Sequence, residues 1–170
     1  PQEQDAGAIQ AEAMSLLDSA LEQLVDTRHR EGERLGGFIQ ERLAASRTFV
    51  AGARERMPQV MQNIRERLET RLGDLRQEMD ADRVEQEMVM LAQRLDVDEE
   101  MDRLTAHLDE MERVLKRKEP VGRRLDFLTQ EMNREANTLA SKSADKEMTA
   151  AAVELKVLIE QIREQVQNIE

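Results

Sequence analysis

The stretch that decides the fold is 122–143, which reads GRRLDFLTQEMNREANTLASKS. Apolar residues recur in it three and four positions apart, which predicts a helix with one buried face; they are Leu125, Leu128, Met132, Ala136 and Leu139. A polar row runs beside them, made of Asp126, Gln130, Asn133 and Asn137 and extended by Arg134 and Ser141. Asn is a poor helix former, because its amide competes for the backbone. Such a row indicates either hydrogen bonds that fix the register between helices or a polar binding or catalytic edge.

The composition of the remaining chain is also that of long helices. Among 170 residues there are three Phe, no Trp and no Tyr, and only three Pro and seven Gly interrupt the chain. No segment shows the sustained alternation that marks a half-buried strand. We therefore predict an all-α fold of about five or six long antiparallel helices, some of them paired as hairpins with coiled-coil-like packing.

The first half of the chain predicts two long helices. The first begins near Asp5, is weakened at 36–37 by two Gly and ends near Met57, because Gly is unfavourable inside a helix. Pro58 suits the first turn of a second helix. Residues 1–82 are accordingly interpreted as an extended helical arm of two long helices.

Residues 83–170 are interpreted as a C-terminal helical domain. The apolar row changes phase at 95–99, where Asp96 and Glu99 have the spacing of a capping box and predict a break. The last helix has the most regular heptad of the chain, which predicts tight packing on a helix of the same or another subunit. Its apolar residues are Met148, Ala152, Leu155, Ile159, Ile162, Val166 and Ile169.

Charge and composition narrow the classes of partner. A net charge of −11 argues against broad affinity for nucleic acid, although 113–124 carries six basic residues against Glu119 alone. That run is typical either of a phosphate-binding patch or of a solvated helix end. The chain has no Cys and no apolar run of the roughly 18 residues that a membrane span needs, so we expect a cytoplasmic protein without membrane contact. It begins with Pro, so a fragment or a processed form is expected.

A second polar row precedes the first. Asp96, Glu100, Arg103 and His107 are spaced four, three and four residues apart, with Glu85, Glu87 and Glu99 nearby. Carboxylates and an imidazole can hold a divalent cation that activates water. Acidic residues at a helix start and Glu–Arg pairs at helical spacing explain the same pattern without a metal. His29 lies in a charged interruption and is expected to be solvated.

Several segments resemble the C-terminal end of bacterial YicC/YloC proteins. They are the opening stretch, 153–170 (VELKVLIEQIREQVQNIE), 83–87 (RVEQE), 91–97 (LAQRLDV) and 99–107 (EEMDRLTAH). The similarity runs nearly unbroken from Arg83 to Glu170, whereas residues 1–82 resemble the helical middle of these proteins more loosely. The family carries a further N-terminal region, rich in predicted strand, which this sequence lacks.

The resemblance implies a metal-dependent endoribonuclease that hydrolyses phosphodiester bonds of single-stranded or small structured RNA. It also implies Mg²⁺ or Mn²⁺ as cofactor, RNA held in a cleft or channel of a ring-like oligomer, expected to be a hexamer, and links to stress responses and the RNA-degradation machinery. Without the N-terminal region, the isolated chain is expected to bind or cleave poorly if that region supplies RNA-binding surface or ring contacts.

Carried onto this sequence, the resemblance gives three sets of candidates. The catalytic set is His107, Glu100, Asp126 and Glu131. The metal set is Glu87, Asp96, Glu99, Glu100 and His107. The RNA-binding set is Arg103, Arg123, Arg124, Gln130, Asn133, Arg134, Asn137 and Lys142. The stretch 122–143 and the preceding helix are predicted to form two walls of one RNA-handling cleft.

Two alternatives stay open. Cleavage through the RNA 2′-hydroxyl, with His107 as the base, needs no metal. A non-catalytic helical oligomerisation or scaffold module would also carry the final heptad and the helical arm.

Overall fold

The computed structural model describes residues 6–74, 85–86, 89–93, 96–117, 119–143 and 145–169. No β-strand occurs in these residues, so the all-α prediction is confirmed. Helix α1 spans Ala6–Asp74, α2 Asp98–Leu115, α3 Gly122–Lys142 and α4 Lys146–Val166. Within the described part, no helix is both long and apolar enough to cross a membrane.

In the described part of the chain four helices have defined bounds, and residues 85–86 and 89–93 are helical as well. The four are somewhat fewer than the predicted five or six, and Pro58 accounts for part of the difference. It lies inside α1 rather than at the start of a new helix. A Pro inside a helix costs about 3 kcal/mol, but Val50, Ala53 and Val60 are buried on either side of it. Packing on both sides therefore keeps the helix continuous. The Gly pair at 36–37 does not end the helix either.

The chain divides into two compact units at Phe38 and Ile39. In the first unit α1 leaves several large apolar side chains between half and two-thirds exposed, namely Ile9, Met14, Leu16, Leu17, Leu21, Leu24 and Val25. In the second unit the rest of α1 joins the other three helices in a single apolar core.

In the second unit, the four helices with defined bounds form an antiparallel bundle, as the contacts between them show. Arg47 of α1 bonds to Asp109 of α2, and Arg54 bonds to Asp102, so the two helices run in opposite directions. By the same reasoning α4 is antiparallel to α1, because Arg42 bonds to Gln161 and Arg56 to Asp145. Helix α3 packs on both α2 and α4.

The core is built from apolar rows at heptad spacing, as expected for helices that cross at shallow angles. Every apolar residue named for the opening stretch is buried, and the row of α4 is buried from Met148 to Val166. Its predicted partner helix is therefore found within the chain, in α3. Ser46 is fully buried in the corresponding row of α1, and its hydroxyl donates to the carbonyl of Arg42 at 2.8 Å. That bond satisfies a hydroxyl that would otherwise be costly to bury.

The predicted break before α2 is confirmed, but its cap differs from the prediction. Residues 96–97 are not helical, and the Asp96 carboxylate accepts a hydrogen bond from the backbone N–H of Asp98 at 3.0 Å. Glu99 forms an ion pair with Arg103 rather than completing a capping box with Asp96. An arginine one turn along the helix offers a carboxylate a charged partner, which a backbone N–H does not.

Gly122 begins α3 where the chain passes close to the end of α4. A Cβ at this position would lie 2.8 Å from the backbone oxygen of Ile169, which is closer than a carbon atom can approach. The lack of a side chain at Gly122 therefore allows the start of α3 to pack against the end of α4.

Asp145 ties the start of α4 to α1. Its carboxylate accepts from the backbone N–H groups of Glu147 and Met148 and receives two hydrogen bonds from Arg56, at 3.0 and 3.2 Å. Asp145→Ala removes the helix cap and should lower the free energy of unfolding by about 1 kcal/mol. Asp145→Asn keeps a capping oxygen but removes the charge.

Wild type and Asp145→Asn should differ in the pH dependence of their stability, because only the wild type has a titratable carboxylate at this position. The guanidinium of Arg56, helped by the backbone donors, holds the pKa of Asp145 below its usual value. A depressed pKa adds stability above the unfolded pKa of about 3.9, and this is lost as pH falls through the folded pKa. The advantage of the wild type over Asp145→Asn in urea unfolding should therefore shrink below about pH 4. A difference that stayed constant with pH would contradict this account.

Candidate functional site

Helix α3 carries polar side chains along two separate edges. Glu135 and Lys142 lie on the edge next to α2, where Glu135 pairs with Arg103 and Lys142 with Glu100. Asp126 lies on the other edge, where its carboxylate is 3.8 Å from the guanidinium Nε of Arg163 in α4. The two predicted polar rows therefore do not face one another as two walls of one cleft.

The edge between α2 and α3 holds a group of five charged side chains, called here the α2–α3 charge cluster: Glu99, Glu100, Arg103, Glu135 and Lys142. Arg103 contacts all three carboxylates: Glu99 through an ion pair, Glu100 at 3.3 Å and Glu135 at 2.9 Å. Lys142 reaches Glu100 at 3.0 Å and also donates to the backbone oxygen of Asp96 at 2.8 Å. The carboxylates outnumber the cations by one.

Glu100 is the most unusual member of the α2–α3 charge cluster, because it is a carboxylate with only 4% of its surface exposed. Both cations bind its Oε1 atom, and Oε2 is buried without a hydrogen-bond partner. Leaving a buried polar atom unsatisfied typically costs about 1–3 kcal/mol, and more when it is charged. The structure thus keeps one acceptor of a buried carboxylate unused.

Hydrogen bonding from Arg103 to Glu135 raises the pKa of the Arg103 guanidinium, and the charges of Glu135, Glu99 and Glu100 add to this effect. Arg103 therefore stays a cation at every relevant pH. With three carboxylates around it, its first role is to hold α2 against α3 rather than to present a free charge to phosphate.

His107 and Glu131 lie further along the edge between α2 and α3. Arg124 bonds to Glu110 at 3.2 Å on one side of His107, and Arg103 bonds to Glu135 on the other. Both His107 and Glu131 are half-buried. No hydrogen bond or ion pair joins either of them to another side chain in the described part of the chain. Within the described residues, His107 and Glu131 are therefore the two predicted catalytic residues of this edge whose side chains are not bound to another side chain.

The predicted metal ligands do not converge. Among the described residues, no three His, Asp or Glu side chains are grouped so that they could hold a metal ion. Glu99 and Glu100 are engaged by cations, and Asp96 accepts a backbone N–H. Glu87 lies outside the described residues.

The predicted RNA-binding residues divide into three groups. Arg103 and Lys142 belong to the α2–α3 charge cluster, and Asn133 is half-buried and accepts a hydrogen bond from Asn137 at 3.4 Å. The others lie together on the exposed side of α3, called here the outer face of α3. Its members are Arg123, Arg124, Phe127, Gln130, Arg134, Asn137 and Ser141.

Sequence reasoning missed two residues of this region. Glu135 falls in the buried row of α3 between Met132 and Leu139, and a carboxylate at a core position of the heptad is a signal that could have been used. Phe127 is half exposed, and an aromatic residue outside the apolar row is the corresponding signal.

Comparison with known proteins agrees with the resemblance described above. A family model described as "Endoribonuclease YicC-like, C-terminal" matches residues 53–170. The chain is 52% identical over 169 residues to a probable endoribonuclease YicC of Haemophilus influenzae, a match that covers 99% of this chain and 59% of that protein. A protein of the same description from Clostridioides difficile is 33% identical over 171 residues, covering 99% and 58%. The chain thus spans somewhat under three-fifths of the length of these relatives.

Proposed function

Because the chain belongs to the family of YicC-like endoribonucleases, we propose that it takes part in internal cleavage of RNA, at the edge between α2 and α3. The observation that carries the location is Glu100, a buried carboxylate held by two cations with one oxygen left unpartnered. Such an arrangement lowers the stability of the fold, which a functional role at this edge would explain.

The outer face of α3 is the surface proposed to hold the RNA. None of its exposed residues is acidic, and three of them are arginines. The exposed residues of α2, by contrast, are mainly acidic: Asp98, Glu99, Asp102 and Asp109 beside Ala106 and Arg113. In a chain of net charge −11, a helix face without carboxylates is the one on which phosphates meet least repulsion.

The chain's own residues can supply acid–base chemistry at this edge. The imidazole of His107 can act as a general base and take a proton from a 2′-hydroxyl. The 2′-oxygen then bonds to phosphorus while the bond from phosphorus to the 5′-oxygen breaks, and the leaving oxygen takes a proton from an acid such as Glu131 or from water. The products are a 2′,3′-cyclic phosphate and a 5′-hydroxyl.

The donor set near His107 does not by itself fit Mg²⁺ or Mn²⁺, because the carboxylates of the α2–α3 charge cluster are already bound to Arg103 and Lys142. The metal dependence implied by the resemblance stays a prediction. A divalent ion, when bound, would activate water and neutralise phosphoryl charge.

The deciding experiment is an RNA cleavage assay with end-group analysis. Purified chain is incubated with end-labelled single-stranded RNA, with EDTA or with Mg²⁺ or Mn²⁺, and the product ends are identified by mass spectrometry. Cyclic phosphate ends that persist in EDTA support the 2′-hydroxyl route. Cleavage that is lost in EDTA and restored by the ion, without cyclic ends, supports metal-assisted hydrolysis.

The variant Glu100→Gln tests whether the α2–α3 charge cluster has a catalytic role or only a structural one. Lower cleavage with an unchanged folded state supports the proposed site. Unchanged cleavage with reduced stability would mean that the α2–α3 charge cluster only fixes the register of the helices. No cleavage under any condition would overturn the proposed activity of this chain.

Self-association is the further part of the proposal, and the first unit supports it. Its exposed apolar side chains would bury apolar surface against a second copy at about 25 cal/mol per Å². We expect multi-angle light scattering to give a mass above the monomer's 19.6 kDa, and the double change Leu17→Glu and Leu24→Glu to lower it. Val157→Glu, also at a half-exposed apolar residue but in α4, is the matched control. A monomeric wild type would contradict this prediction.

A further inference from the structure

Phe127 is exposed on the outer face of α3, although it is one of only three aromatic residues in the chain. Half of its surface is open to solvent, whereas Phe38 and Phe49 are less exposed. An exposed Phe is disfavoured in water, by up to about 1.5–3 kcal/mol relative to burial. Its position leaves the ring available to a ligand or a partner surface.

The surroundings of Phe127 are cationic. The guanidinium carbon of Arg124 lies 6.0 Å from the centre of the Phe127 ring, within the range of a cation–π interaction. Arg123 and Arg134 are exposed on the same face, and neither forms an ion pair with a described carboxylate. Elsewhere in the described chain exposed arginines are commonly paired, as Arg65 is with Glu69 and Arg113 with Glu110.

The pattern has the two parts of a site for single-stranded nucleic acid. Such sites combine aromatic rings on which bases stack with cations that follow the phosphates. Arg123 and Arg134 are eleven residues apart, which is about 16 Å along a helix. Phe127 lies between them, so a strand running along α3 can place one base on the ring and phosphates near each arginine.

Along the bundle axis, Phe127 also lies close to the candidate site between α2 and α3. Arg124, which contacts the Phe127 ring, is bonded to Glu110, and Glu110 follows His107 by one helical turn on the same edge of α2. A base held on Phe127 would thus place its own backbone near the edge where His107 lies.

We propose that Phe127 is a stacking platform for one unpaired RNA base, flanked by phosphate contacts from Arg123 and Arg134. This inference rests on the proposed function, and it narrows the substrate to RNA with an unpaired nucleotide at this position. A protein partner is the other class that an exposed Phe could meet. Arg123 and Arg134 have no carboxylate partner among the described residues, and no exposed residue on the outer face of α3 is acidic. Both features favour an RNA ligand, with its phosphates, over a protein partner.

The chain contains no Trp or Tyr, so Phe127→Trp creates a single fluorophore at the platform. Stacking of a base should quench Trp emission when a short single-stranded 2′-O-methyl RNA is added. An abasic oligonucleotide of the same length should quench it much less, and so should a duplex. Val153→Trp places the same fluorophore on α4, at a residue that is equally exposed, and should not respond.

Affinity provides the second readout. Phe127→Ala should weaken binding of single-stranded RNA by about 5- to 100-fold, whereas Val153→Ala should leave it unchanged. Arg134→Ala should reduce the slope of log affinity against log salt by about 0.7.

The outcomes separate this inference from the function on which it rests. If the wild type binds RNA but Phe127→Ala binds equally well and the emission of Phe127→Trp is not quenched, the platform is wrong and the proposed function stands. If Phe127→Ala changes the mass of the assembly but not RNA binding, the face is a protein contact and the platform is wrong. If the wild type binds no RNA at all, both the Phe127 platform and the proposed function are wrong.

Discussion

Replacing His107 with alanine should lower the rate of RNA cleavage by about 10²- to 10⁴-fold, the usual contribution of a general acid or base. The side chain is half-buried on the edge of α2 and forms no bond to another described side chain that its loss would break. The folded state should therefore persist, as circular dichroism and urea unfolding would show. The cleavage rate is best compared under single-turnover conditions, because those report the chemical step.

The chain offers a matched control in His29. That residue is exposed in the first unit, where its Nδ1 lies 3.5 Å from a carboxylate oxygen of Glu33, and His29→Ala should cleave like the wild type. If His107→Ala cleaved as fast as the wild type, the role assigned to the imidazole would be wrong. If Glu100→Ala and Asp126→Ala were equally without effect, the scaffold interpretation would be favoured.

The helices of the bundle could be predicted well because one property determines them. A row of apolar residues three and four positions apart is buried whatever its partner is, so the rows of α3 and α4 could be identified before their neighbours were known. The ends of helices depend on a closer balance. At Pro58 the free-energy cost of a proline inside a helix is opposed by the burial of Val50, Ala53 and Val60. The proline can be seen in the sequence, but the burial can be seen only in the folded bundle.

The candidate site was harder to predict because it depends on which helix lies beside which edge. Asp126 and Glu135 are both acidic residues of α3, but one faces α4 and the other α2. That difference is set by the arrangement of the bundle, and a single helix does not reveal it. Lys142 and Glu100 are 42 residues apart in sequence, so their ion pair cannot be inferred from the spacing of residues within one helix either. Several residues that were predicted to bind phosphate or metal therefore form ion pairs with each other, as Lys142 does with Glu100.

Ile159→Ala should lower the free energy of unfolding by about 2–5 kcal/mol, because it removes buried methyl groups and leaves a cavity. Ile159 is 1% exposed in the middle of the α4 row, and α4 packs on α3 within the same chain. Val157→Ala, two residues away and 46% exposed, should change stability by less than about 0.5 kcal/mol. Urea unfolding at several protein concentrations measures both, and the concentration series shows whether the α4 row is covered within one chain or by another subunit. A large loss that is independent of concentration means that Ile159 is covered within one chain. A loss that grows on dilution would mean that another subunit covers it, and would contradict the bundle described above.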